Sequence, residues 1–168
     1  LDRDALKELV SGCSAVLHLA TAMGSAPAAE LHDVNVNGTR RLLEAALEAG
    51  VPRFVFTSSV AARSPEQGPY SQSKALAEER VAEADLQGVV LRLPVLFGPG
   101  SQVEQAVLAL GRRLPWVPVI GGRDLRPVHV DDAAAACVAA VQRPDLGGTY
   151  SLAGAEALGF AEFASRLL

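Results

Sequence analysis

The sequence is short of aromatic residues, of cysteine and of positive charge, and each shortage removes a class of protein. Aromatics make up 5% of the chain, so any core must be aliphatic and rich in alanine. Cys13 and Cys137 are the only cysteines. Both sit in apolar surroundings without a CxxC or Cys/His neighbour, which excludes a disulfide framework and a zinc cluster and makes them small apolar fillers. Fifteen Lys and Arg against nineteen Asp and Glu leave a net charge of -4. That is the wrong sign for a surface that tracks phosphates, so nucleic acid is not an expected partner. The longest nearly apolar run, Ala133 to Val141, falls far short of the roughly 20 residues of a membrane-spanning helix. Leu1 to Glu8 alternates charged and apolar residues, unlike a signal peptide, and a reduced, cytoplasmic location fits. No G-x-S-x-G elbow is present, which counts against a serine hydrolase built on His18 or His129.

What remains is a chain with 49% hydrophobic residues and a mean hydropathy of +0.22. A domain of this size buries roughly 70% of its unfolded surface, which excludes disorder for the bulk of it. Short apolar runs alternate with helical patterns along the whole length, the signature of β-α units around a parallel sheet. Strands are expected at Ala15–Ala20, Arg53–Ser58, Val89–Leu93, Val128–Val130 and Tyr150–Leu152. Helices are expected over Asp4–Ser11, Glu30–Ala49, Tyr70–Ala84, Val103–Arg113, Ala133–Gln142 and Phe160–Leu168. Gly50 and Pro52 form a stop after the second helix, and Asp131 or Asp132 an N-cap before the fifth. Residues 94–127, rich in Pro and Gly towards their end, form an excursion suited to facing a substrate, and 128–168 return in part to the core.

The sharpest chemical signal is Tyr70-Ser71-Gln72-Ser73-Lys74 at the start of a helix, preceded by Thr57-Ser58-Ser59 at the end of a strand. An i, i+4 spacing puts Tyr70 and Lys74 on one helix face. A phenol is a poor acid/base at neutral pH, but a nearby ammonium favours the phenolate. Ser59, at the carboxyl end of its strand where open parallel sheets bind ligands, can hydrogen-bond the substrate oxygen that Tyr70 serves. An exposed Tyr and Lys would be the plain alternative, which the upstream serines and the helix-opening position disfavour.

From these residues outward the chain resembles the extended short-chain dehydrogenase/reductases, also called the NAD-dependent epimerase/dehydratase family. The likeness runs through Ala15 to Thr21, Asn35 to Ala46, Arg53 to Ser59, Tyr70 to Lys74, Leu91 to Gly100 and Pro127 to Asp132, in the family's order. It implies a Rossmann-like doubly wound α/β fold and an NAD or NADP cofactor. The catalytic set would be Ser59, Tyr70 and Lys74, with Tyr70 as acid/base and Lys74 also holding the nicotinamide ribose. Leu19, Ala20 and Thr21 would line the cofactor, and Pro94 and Val95 would lie beside the nicotinamide. The substrate would be a small molecule bearing a hydroxyl or carbonyl group, and the resemblance further implies a homodimer through the helices that carry Asn37 and Tyr70.

The sequence departs from the family's pattern at several points. No three of the fifteen glycines have the G-x-x-G-x-x-G spacing that admits a pyrophosphate to a helix N-terminus. Both ends read as cut, so the chain is expected to be a single partial domain holding the nicotinamide half of a site. Val34 offers no hydrogen bond where relatives present a polar group. Ser59 and Tyr70 are eleven residues apart, closer than in sugar-nucleotide enzymes, which favours a general reductase or dehydrogenase over a nucleotide-sugar epimerase or dehydratase. A non-catalytic dinucleotide-binding or scaffold protein, or an inactive fragment, is the competing reading. No metal site is expected: His129 with Asp131 and Asp132 reads as structural, and His18 as a satisfied core histidine. Arg123 and Arg126 suit an anionic group and solvated surface charge equally.

Overall fold

The computed structural model describes residues 2–23, 25–113 and 125–168. In chain order the elements are α1 (Arg3–Val10), β1 (Val16–His18), α2 (Ala28–Leu31), a π-helical segment (His32–Asn37), α3 (Gly38–Glu48), β2 (Arg53–Ser59), 3-10 turns at Val60–Arg63 and Pro65–Gln67, and α4 (Pro69–Glu83). There follow β3 (Gln87–Leu93), β4 (Leu96–Phe97), α5 (Gln102–Arg113), β5 (Val128–His129), α6 (Val130–Gln142), β6 (Gly148–Ser151) and α7 (Phe160–Leu167).

The chain divides into two compact units, where the sequence suggested one domain with an excursion. The first comprises Leu1–Arg92 and Cys137–Ser151, the second Leu93–Ala136 and Leu152–Leu168. Within the first unit four strands form a sheet in the order β1-β2-β3-β6, with β1 parallel to β2 and β3 parallel to β6. β2 is its hydrophobic centre. Phe54, Val55 and Phe56 are all at most 1% exposed, because a strand covered by helices on both faces must be apolar without alternation. Phe54 and Phe56 pack with Leu6, Val10, Leu43, Ala46, Ala77 and Val81, which α1, α3 and α4 contribute from one side.

Arg53 points to the opposite face of β2, since neighbouring strand residues alternate. Buried to 5% exposure, its guanidinium donates to the Ala140 carbonyl at 2.6 Å and the Leu146 carbonyl at 3.2 Å. A cation thus serves the end of α6, where the carbonyls run out of helical partners and the dipole is negative.

The second unit pairs β4 with β5 in parallel register, Leu96 with Val128 and Phe97 with His129. β4 is too short to show in the sequence. Gly98 follows it with φ +119, and a Cβ there would meet His129 Nε2 at 2.7 Å. At Gly154 a Cβ would come within 2.1 Å of the Pro127 carbonyl oxygen, so this backbone approach requires glycine.

Three expectations are corrected. β1 covers Val16–His18 only, and just His18 of it is buried, because it lies at the end of the strand order. Asp131 and Asp132 sit inside the first turn of α6, which starts at Val130, and they complement the helix dipole instead of capping it. Cys13 is exposed, its thiol near the Leu9 carbonyl, whereas Cys137 is the buried filler expected. Residues 114–124, most of the expected Pro/Gly-rich stretch, and with them Arg123, lie outside the described residues.

Arg53→Leu leaves both carbonyls without their donor. We expect a loss of about 2 kcal/mol, or a fall in Tm of about 4–8 °C for a chain of this size, measured by thermal unfolding. An unchanged Tm would mean that water serves the two carbonyls equally well.

Candidate active site

β2 ends in three hydroxyl residues, and each meets a different turn of α4. The Ser59 hydroxyl accepts from the Ala61 amide at 3.2 Å, capping the 3-10 turn. Its closeness to the Tyr70 phenol favours the ionised form of that group. The Thr57 carbonyl accepts from Lys74 Nζ at 2.8 Å, and the ammonium also lies 4.5 Å from the centre of the Phe56 ring. The Ser58 hydroxyl donates to Glu78 at 2.5 Å. Tyr70, Lys74 and Glu78 follow one another at four-residue intervals, so one face of α4 bears on the end of β2.

The electrostatics of the pair differ from the expectation that Lys74 pulls the phenol down. Burial pushes the Tyr70 phenol above its ordinary value and Ser59 opposes it. Among the described residues no hydrogen bond joins Lys74 to Tyr70. Lys74 is 2% exposed, and burial brings its ammonium down to about 8, against an upward pull from Glu78. At neutral pH the site therefore holds a protonated phenol and a protonated amine that releases its proton easily.

Behind Lys74 lies a polar layer that the sequence reading did not assign. Asn35, 1% exposed, comes from the π-helical segment. Its Oδ1 accepts from the Ala22 amide at 2.7 Å and lies 3.1 Å from the Thr21 hydroxyl. Its Nδ2 donates to the Ala22 carbonyl at 3.3 Å and to Ser73 Oγ at 3.0 Å. Ser73 in turn donates to the Tyr70 carbonyl at 2.8 Å. One amide thereby ties the loop after β1 to the turn of α4 between Tyr70 and Lys74. A π segment offers such an amide because its wider turn displaces side chains from the regular helical face, and such segments recur at functional sites.

His18 completes the layer. The Thr39 hydroxyl gives its single proton to the Asn35 carbonyl at 2.6 Å, so at 3.0 Å it can only accept from His18 Nε2. The imidazole is neutral, as expected of a satisfied core histidine. Burial and the Lys74 charge lower it to about 4.

Leu19, Ala20 and Thr21 are exposed at the carboxyl end of β1, Leu19 by 57%. They form an apolar edge at the mouth of the strand, and Val34 is also exposed. Pro94 and Val95 are half-buried in the second unit, where the Val95 carbonyl accepts from the Val128 amide at 3.0 Å. A cavity of about 600 Å³ in that unit is lined by residues that include Phe97, His129, Glu156, Leu158, Phe163 and Arg166. Arg126 is turned onto the Gly154 and Ala155 carbonyls, and His129 accepts from the Asp131 amide at 3.3 Å. No cluster of metal-ligating side chains occurs among the described residues.

Glu78 and Arg92 were legible in principle. An arginine within Val89-Val90-Leu91-Arg92-Leu93 requires a buried partner, and Glu78 repeats the Tyr70, Lys74 spacing. Asn35 carried no such signal, since its partners come from two segments distant in the chain.

A family model of the NAD dependent epimerase/dehydratase family matches residues 1–153. The ceramide reductase of Caulobacter vibrioides is 35% identical over 144 residues, 85% of this chain and 45% of that protein. The solved structure of MoeE5 in complex with UDP-glucose and NAD has a TM-score of 0.82 at 27% identity, over 99% of this chain and 66% of the other. A DesIV double mutant (dTDP-glucose 4,6-dehydratase) from Streptomyces venezuelae, with NAD and DAU bound, gives 0.85 at 23% identity, over 99% and 60%. The chain spans about half the length of the curated relatives it matches.

The His18 environment makes stability depend on acid. An unfolded histidine takes up its proton near 6.5 and the folded one only near 4. The unfolded state then binds more protons between those values, so stability falls as pH drops through that window. His18→Gln is expected to flatten the dependence of the urea midpoint on pH between about 4 and 6.5. An unaltered slope would place the acid sensitivity elsewhere.

Proposed function

The chain belongs to the NAD-dependent epimerase/dehydratase family, and from that premise we propose that Ser59, Tyr70 and Lys74 are the proton-handling set of a nicotinamide-dependent oxidoreductase or epimerase. Its substrate is a small molecule with a hydroxyl or carbonyl group at the reacting carbon. The observation that carries this reading is the seating of Tyr70 and Lys74 of α4 against Ser59 and Thr57 at the end of β2.

The residues fit the nicotinamide end of a dinucleotide. Lys74 presents three N–H groups and uses one on Thr57, which leaves two for ribose hydroxyls. Leu19, Ala20 and Thr21 give the exposed edge that a flat ring system covers. A bound NAD or NADP supplies the hydride donor or acceptor.

Each protein group then has one task. Tyr70, kept as the neutral phenol, gives a proton to a carbonyl oxygen or, in the opposite direction, takes one from a hydroxyl after ionising. Ser59 hydrogen-bonds that same oxygen and stabilises charge that develops on it. Lys74 holds the ribose with its remaining N–H groups and, as a cation, favours the phenolate. The eleven-position step from Ser59 to Tyr70 again favours a reductase or dehydrogenase over a nucleotide-sugar epimerase.

Titration of the 168-residue chain with NADH and NADPH, followed by nicotinamide fluorescence and Tm together, tests the assignment. Lys74→Ala is expected to weaken binding by about tenfold or more, since it removes charge-assisted hydrogen bonds. Tyr70→Phe is expected to leave binding within about twofold while abolishing turnover in the complete protein. Wild-type affinity in Lys74→Ala, or full turnover in Tyr70→Phe, would refute the roles given.

A further inference from the structure

One ion pair, a buried carboxylate with a partly exposed guanidinium, lies outside the groups given a task above. Glu78 is on α4, one turn beyond Lys74, and 7% exposed. Arg92 of β3 grips it with Nε at 3.0 Å from each carboxylate oxygen and a terminal nitrogen 2.5 Å from Oε2. The Ser58 hydroxyl donates to Oε1 at 2.5 Å. Stability alone does not call for this arrangement. An apolar residue in place of the buried carboxylate commonly serves a core as well or better, because an ion must be desolvated to be buried. What an apolar residue cannot supply is a fixed bidentate geometry and a negative charge one helical turn from an ammonium.

We propose that Glu78, clamped by Arg92 and Ser58, is a positioning residue for Lys74: it fixes α4 along β2 and keeps the Lys74 side chain charged in its buried place. The inference rests on the reading of Lys74 as the cation that holds the cofactor.

The surroundings of Lys74 leave Glu78 as the one opposing charge. From α4 it faces Tyr70, a neutral phenol, and Glu78 itself. From β1 it faces His18, which is neutral wherever Lys74 titrates. β3 brings Arg92, partly exposed and paired with the same Glu78 carboxylate. β2 offers the Thr57 carbonyl and the Phe56 ring, and the π segment and α3 offer Asn35 and Thr39, all uncharged. The charged side chains of α3 and the 3-10 turns are at or near the surface. Glu78 raises the Lys74 ammonium against the burial that lowers it.

The sequence makes a direct test available, because Lys7 and Lys74 are its only lysines. In protein labelled with 13C at the lysine ε carbon, the two signals are followed against pH. Glu78→Gln keeps an oxygen for Ser58 but removes the charge, and its Lys74 midpoint is expected to fall by about half a unit or more, with Lys7 unmoved. Glu78→Asp keeps the charge but withdraws it by one methylene, and is expected to fall between Gln and wild type. A folded Glu78→Gln whose Lys74 midpoint stays or rises overturns the proposal. Should Glu78→Gln not fold, a folded Glu78→Asp with the midpoint at or above wild type overturns it. No cofactor enters the titration, so its failure leaves the cofactor reading intact, and failure of NADH binding leaves this shift intact.

Discussion

A single ammonium group, that of Lys74, buried between β2 and α4, sets the terms for its neighbours. A cation in a core is tolerated only with hydrogen bonds and compensating charge, and the surrounding residues divide that work. The Thr57 carbonyl holds one proton, the Phe56 ring faces the charge and Glu78 balances it from one turn away. The folded chain still holds the Lys74 proton less tightly than an unfolded chain would. The ammonium therefore opposes folding at neutral pH, and the opposition is relieved as pH rises through about 8 towards the ordinary lysine value of 10.5. A residue that works against stability in this way has its explanation in chemistry, not in packing.

The rest of the first unit follows from accommodating that group. β2 must be apolar through Phe54, Val55 and Phe56 to anchor the sheet, then turn polar at Thr57, Ser58 and Ser59 where it meets α4. The π segment exists at the one place where an amide has to reach both the loop after β1 and Ser73 of α4. The neutral tautomer of His18 follows from Thr39, whose proton is already committed to the Asn35 carbonyl.

The sequence disclosed the parts whose signal is local. The apolar run of β2, the Gly50 and Pro52 stop and the four-residue spacing of Tyr70 and Lys74 all read correctly, and so did the helices over Gln102–Arg113 and Phe160–Leu167. Parts that depend on distant partners stayed hidden. A π turn and an α turn have nearly the same apolar pattern, so His32–Asn37 passed for regular helix. The two-residue β4 is defined by its pairing with β5 and not by composition. Cys13 looked buried because its neighbours are apolar, yet it lies in the exposed turn after α1. Within the candidate site, the placing of Ser59, Tyr70 and Lys74 near one another was legible from motif and spacing, while Asn35 was not, because one amide bridging two distant segments leaves no periodic trace.

Lys74 is proposed to receive the nicotinamide end of a dinucleotide. Adding reduced nicotinamide mononucleotide to the 13C-lysine-labelled chain tests it most directly, because this ligand lacks the adenine half and the ε-carbon signal of Lys74 reports from inside the site. A saturable shift of the Lys74 signal with Lys7 unmoved is expected. A Lys74 signal that stays in place at saturating ligand, or one that moves only in step with Lys7, would contradict it.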